Sequence, residues 1–162
     1  MRITHVFLAC GLLASAGASG GELRSNPASL PPANGYSHVV VAPAGQLVVI
    51  SGQVALDAKG QLVGGDDFGK QCAQVHENIK AALASLGLTF NDVIRTDNFI
   101  TDRKYLPVLR EVRSRYLPSE QPPASTLLVV DGLFRPDLLV EISVEAVLPS
   151  ERTTATPTPP AS

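Results

Sequence analysis

Glu141, Ser143 and Glu145 alternate with Val140, Ile142, Val144 and Ala146 close to the C-terminus. A two-residue period puts the apolar set on one face of a strand and the three polar groups on the other. Such a polar row is poorly suited to lie under a helix. It faces solvent, a cleft or another subunit, where a carboxylate has the chemistry of a general acid or base. Ser51-Gly52 ends an apolar run, and a glycine there serves either a structural turn or close approach of a ligand to the backbone. Tyr36 offers a ring and a hydroxyl, either to a site or at a surface turn. Arg110, Arg113 and Arg115 share one segment that reads as a solvated helix face. Cys72 falls on an apolar helical stripe and reads as a buried, inert thiol. His38 and His76 have no partners at metal-ligand spacing, and no metal is expected. A G-x-S-x-G elbow, a P-loop and a dinucleotide fingerprint are all lacking.

Positioning these groups requires the following elements. Gly35 to Ala42 reads as a first strand closed by Pro43-Ala44-Gly45. Gln46 to Ser51 is a second, β-branched strand that continues through Gln53-Val54-Ala55-Leu56. Asp57-Ala58-Lys59-Gly60 is a turn, Gln61-Leu62-Val63 is briefly extended, and Asp66 or Asp67 supplies an N-cap. Cys72, Val75, Ile79, Ala82 and Leu86 recur at three- and four-residue spacing, which predicts a helix ended by Gly87. A strand over Asp92 to Ile100 follows. A second helix spans about Tyr105 to Tyr116, with Pro107 in its first turn and Leu106, Leu109, Val112 and Tyr116 as its stripe. Strands at Ala124 to Asp131 and Leu138 to Val147 close the domain. The order β-β-α-β-α-β-β predicts an α+β fold, with both helices on one face of a mixed sheet.

The chain has 162 residues, enough for one hydrophobic core. Hydrophobic residues make up 44%, but aromatics only 5%, so the core must be aliphatic. A formal net charge of −2 offers no footprint for nucleic acid or an acidic membrane, and neither is expected as a partner. Residues 1–18 read as a signal peptide: a basic start, an apolar run from Val6 to Ala14, and Ala16-Gly17-Ala18 before the cut. A periplasmic or secreted protein is expected, with no membrane attachment after cleavage and Cys72 as its only thiol. Residues 19–30 read as a flexible lead-in to a domain over 31–149, and the Thr/Pro-rich stretch 150–162 as a disordered tail.

Several of these segments resemble the RidA (YjgF-type) family. Tyr36-Ser37 resembles its opening P-Y-S motif, and Ser51-Gly52-Gln53-Val54 its S-G-Q-[IV] strand end. Gln71-Cys72-Ala73-Gln74 followed by Asn78 is similar to its Q-x-x-Q-x-x-x-N helix. Pro123-Ala124 and Arg135-Pro136-Asp137-Leu138-Leu139-Val140-Glu141-Ile142 look like its P-A-R-[ST] and R-P-x-x-L-V-E-I-E segments. The resemblance implies a chorismate-mutase-like fold and a homotrimer with small-molecule clefts between subunits. It also implies cofactor-free hydrolysis of reactive enamines and imines, such as 2-aminoacrylate, to a keto acid and ammonia. In that chemistry an Arg clamps the substrate carboxylate, backbone amides near the S-G-Q turn polarise the substrate, and a Glu handles the water.

The family's Arg position is Ser125 here, and the second Glu of V-E-I-E is Ser143. The sequence therefore resembles members lacking the catalytic Arg. The cleft Asn falls at about Arg110, a substitute clamp by this reading, and the cleft Cys at Leu127. Glu145 lies about 7 Å along the strand face from Ser143 and is a possible stand-in acid. With Tyr36, Ser51 and Gly52 these residues make up the expected substrate-binding set. Two functions follow. One is hydrolytic deamination in an altered cleft, with reduced or lost 2-aminoacrylate activity. The other is a small-molecule-binding trimer without turnover.

Overall fold

A computed structural model describes residues 23–150. The expected signal peptide and nearly all of the expected tail lie outside the described residues. The elements are β1 (Leu23–Ser25), β2 (Val39–Val41), β3 (Gly45–Val54), α1 (Phe68–Ala84), β4 (Val93–Ile100), α2 (Leu106–Arg113), β5 (Ala124–Val129) and β6 (Val140–Pro149). Strands β3, β6, β4 and β5 form one mixed sheet in that order, with β4 and β5 parallel and the other pairs antiparallel. The α+β class and the mixed sheet are as the sequence predicts.

Two differences concern the N-terminal part. Leu23–Ser25, expected to be flexible, pairs antiparallel with Val39–Val41 as a small separate ribbon. Arg24 anchors this ribbon to the body by donating to the carbonyls of Val93 (2.8 Å) and Gln121. The strand expected over Gly35 to Ala42 is accordingly short. Ser37 is buried instead and bonds to the chain ahead of β5, with its amide donating to Pro123 O at 3.0 Å and its hydroxyl to Pro122 O at 2.6 Å.

Helix α1 starts where Asp67 accepts a hydrogen bond from the Lys70 amide. Cys72, Val75, Ile79 and Leu83 are its buried stripe. The expected stripe ran on through Ala82 to Leu86, but the helix stops at Ala84 and Leu86 is exposed. Its end is a Schellman turn. Leu88 N–H donates to Leu83 O (2.9 Å) and Gly87 N–H to Ala84 O (3.0 Å), with Gly87 at φ +67. Helix α2 ends at Arg113, short of the expected Tyr116, and buries Leu109 and Val112. Both helices cover the sheet face that carries Ile50, Val140, Ile142, Val144 and Ala146. The strict alternation along β6 is borne out, since Glu141, Ser143 and Glu145 turn to the opposite, uncovered face.

Gln71 explains part of the helix motif. It is completely buried and bonds three backbone groups, donating to Gly65 O (2.6 Å) and Asp137 O (2.8 Å) and accepting from Leu139 N–H (2.9 Å). Asn78 does the same at the end of β3, where Nδ2 donates to Val54 O (3.0 Å) and Leu56 O (2.9 Å). These motif amides hold irregular backbone in place, where apolar side chains would leave it unsatisfied.

Candidate functional site

The pairing of β3 with β6 is interrupted at Ser51-Gly52. Ile50 faces Val144 and Gln53 faces Ile142, so three steps on β3 meet two on β6. The extra residue makes a β-bulge opposite Ser143. Glu141 fills the space beside it. A Cβ built on Gly52 would stand 1.9 Å from Glu141 Oε1 and 2.8 Å from Cδ, so only glycine lets this carboxylate lie against the strand. A cavity of about 420 Å³ opens alongside, bounded by Gly52, Gln53, Asp57 and Asn78. Gln74 Nε2 donates to Asn78 Oδ1 at 2.8 Å and orients the amide on that rim. The arrangement is a half-buried carboxylate packed on Gly52 of a kinked strand, and Gly52 and the residues after it border an open cavity; a carboxylate so placed can take a proton from water.

The other expected site residues lie elsewhere. Ser125 is on β5, opposite Thr96 of β4. Its hydroxyl accepts from Thr96 Oγ1 and from Asn98 Nδ2, both at 3.1 Å, within a polar cluster tucked beneath the helices. Leu127 is half-buried and packs against the core. Tyr36 packs edge-on against His38 with ring centroids 5.1 Å apart, in the segment that Ser37 ties to Pro122 and Pro123. Arg110 is exposed on α2 and lines a smaller cavity with Asn34, Gly35 and Arg113. Glu145 lies on the open face, with Arg95 Nη1 3.7 Å away, while Arg95 also holds Asp97 at 2.9 Å.

The expected set therefore falls into separate groups. Ser51, Gly52 and Ser143 meet at the bulge, whereas Tyr36, Ser125 and Leu127 belong to the β5 side. β3 and β5 are opposite edges of the sheet with two strands between them. Three inter-strand steps make roughly 14 Å, so one chain cannot close both groups around one small molecule. Glu141 was absent from the expected set. A glycine inside a strand was the available signal, since it marks a bulge and therefore a place where an approaching side chain can be accommodated.

Cys72 and His76 lie one turn apart under the helix layer. Burial pushes the Cys72 thiol up to about 12 despite the nearby arginines. Its thiolate fraction falls on the order of a thousandfold. Alkylation followed by peptide mass spectrometry should leave Cys72 unmodified in native protein and modify it quickly in denaturant. His76 is stacked on Tyr116 with centroids 4.7 Å apart, and its Nδ1 is 2.8 Å from Cys72 O. Burial holds its pKa below the ordinary 6.5. Between that lower value and 6.5 the unfolded chain binds more protons than the folded one, so stability is lost as pH falls through this window. Urea midpoints measured from pH 7.5 to 5 should decline on the acid side, and His76→Gln should flatten that decline.

The fold and the bulge together define an α+β protein whose expected site residues are divided between two sheet edges. The profile of the family described as endoribonuclease L-PSP matches residues 27–148. A RutC family protein of Saccharolobus solfataricus is 37% identical over 102 residues, covering 63% of this chain and 79% of that protein. The Rid-family protein YyfB of Yersinia pestis has a similar structure, with a TM-score of 0.73 and 33% identity over 78% of this chain and 98% of that one. RidA from Psychrobacter sp. PAMC 21119 gives a TM-score of 0.59 and 34% identity, covering 66% and 85%. The chain belongs to the RidA/YjgF family.

Proposed function

We propose that the protein hydrolyses small imines or enamines, with Glu141 as the group that activates water at the Gly52 bulge. Water adds across C=N (an enamine first tautomerises to the imine), and Glu141 takes a proton from the water and passes it to nitrogen. The hydroxyl of the resulting carbinolamine then gives its proton through Glu141 to the amine, and the C–N bond breaks to leave a carbonyl and ammonia. The observation that carries this reading is the carboxylate held against Gly52, a residue that itself borders a cavity. Family members are typically homotrimers, and a trimer suits the exposed residues of this sheet. Leu47, Val49 and Leu128 are 62%, 69% and 50% exposed, on the face that carries Glu141. A neighbouring chain would cover them and bring a β5 edge near a β3 edge. RNA cleavage is the weaker reading of the family's description, because this face sets Asp97, Glu141 and Glu145 against Arg95 and the chain is net acidic.

A second reading, a binding trimer without turnover, is favoured by Ser125, whose hydroxyl is committed to Thr96 and Asn98 where the family's clamp would stand. Timed ketone release from enzymatically generated 2-aminoacrylate and from other small imines separates the two. A rate above buffer for any of them supports hydrolysis; buffer rates throughout leave the binding reading. Export to the periplasm or medium, with a cut after Ala18, belongs to the same proposal. Mass spectrometry of the N-terminus tests it, and an intact Met1 would refute it.

A further inference from the structure

The second cavity has a different chemistry from the first. It measures about 190 Å³ and lies between the end of α2 and the Asn34-Gly35 turn, with Arg110, Arg113 and Ser114 on its helical side. Arg110 and Arg113 are three residues apart, so the two guanidinium groups occupy neighbouring positions on one helix face. Neither has a hydrogen bond or ion pair to a carboxylate among the described residues. Arg115, two residues beyond Arg113, does have an acidic partner, since its Nη2 is 2.5 Å from Glu111 Oε1.

Arg113 is not simply solvated. Its guanidinium is pressed against the turn, where a Cβ built on Gly35 would be 2.6 Å from Nη2, and Gly35 itself is at φ +73. Burial, and then the neighbouring Arg110, push the Arg113 pKa down. Two like charges one turn apart disfavour each other, and a half-buried cation without a counter-ion carries its desolvation uncompensated. The end of a helix attracts cations, which accounts for basic residues there. It does not account for a guanidinium withdrawn against a backbone turn at the edge of a cavity.

We infer that this cavity is a binding site for a small oxyanion, the carboxylate or phosphate group of a metabolite, held between the Arg110 and Arg113 guanidinium forks. Planar N–H pairs match two oxygens of either group, and the anion removes the repulsion between the two cations. Asn34 and Ser114, also on the lining, supply polar contacts for the rest of the ligand. The site is separate from the Gly52 bulge and does not depend on the hydrolytic reading.

Calorimetric titration of the mature protein with inorganic phosphate and, separately, with pyruvate tests it, with acetamide as an uncharged control. Saturable binding of phosphate, pyruvate or both is expected, and the pattern names the source of the oxyanion. Arg110→Gln and Arg113→Gln should each weaken that binding by about tenfold or more. Lys104→Gln, which removes an exposed charge already paired with Asp102, should leave it unchanged. Arg110 is exposed, so its variant keeps the test open should Arg113→Gln fold poorly. No saturable binding of either anion, equal binding of acetamide, an unchanged affinity in Arg110→Gln, or an equal loss in Lys104→Gln would overturn the inference.

Discussion

Glu141→Gln is expected to lower ketone release from imine substrates by roughly a hundredfold or more, with the melting temperature within about 2 °C of the parent. Glutamine keeps the shape of the side chain beside Gly52 but cannot take a proton from water. Gly52→Ala should reproduce much of the rate loss by another route. Its methyl group would occupy the space of the Glu141 carboxylate, 1.9 Å from Oε1, so the side chain must swing away from the bulge. The pair separates a chemical role from a positional one. In Glu141→Gln the carboxylate is gone and raising the pH cannot restore the rate. In Gly52→Ala the acid remains and the pH profile should keep its shape at reduced height. A Glu141→Gln protein that turns over at the parental rate would sink the assignment.

The second large effect is on stability. Gln71→Leu is expected to cost about 2–5 kcal/mol, with the melting temperature lower by on the order of 10 °C. The leucine fits the apolar surroundings but abandons Gly65 O, Asp137 O and the Leu139 amide. Those groups lie where the chain leaves the Gly64-Gly65 turn and where it enters β6, so their loss loosens two crossings at once. Gln74, three residues on in the same motif, makes one side-chain bond, to Asn78. Gln74→Leu should cost less than about 1 kcal/mol. Chemical denaturation of the two variants reads this directly, and equal effects would show that Gln71 is not the clamp described here.

Much of the fold was legible because it is encoded locally. The spacing of Cys72, Val75 and Ile79 marked α1, Asp66 or Asp67 its start and Gly87 its termination. The alternation from Val140 to Ala146 marked which side of β6 is core. Each depends on side chains within a turn or two of one another, which is why inspection of the chain suffices. The motif glutamines and Asn78 were legible as resemblance, but their work was not, since Gly65, Val54, Leu56 and Leu139 are distant in sequence or in another element.

The site itself was only half legible, for the same reason. The sequence by itself determined that Ser51-Gly52 ends a regular run, that Glu141, Ser143 and Glu145 share a face, and that Ser125 stands where an arginine was expected. Tertiary structure decided which carboxylate lies at the bulge, because one extra residue there sets the register that puts Glu141 against Gly52, while Glu145 is left near Arg95. It also decided that Ser51 and Ser125 belong to opposite edges, and that Arg113, which read as one of a solvated group, is pressed against the Gly35 turn at the edge of a cavity. Register and strand order arise from pairings between residues tens of positions apart, and no local pattern of side chains contains them.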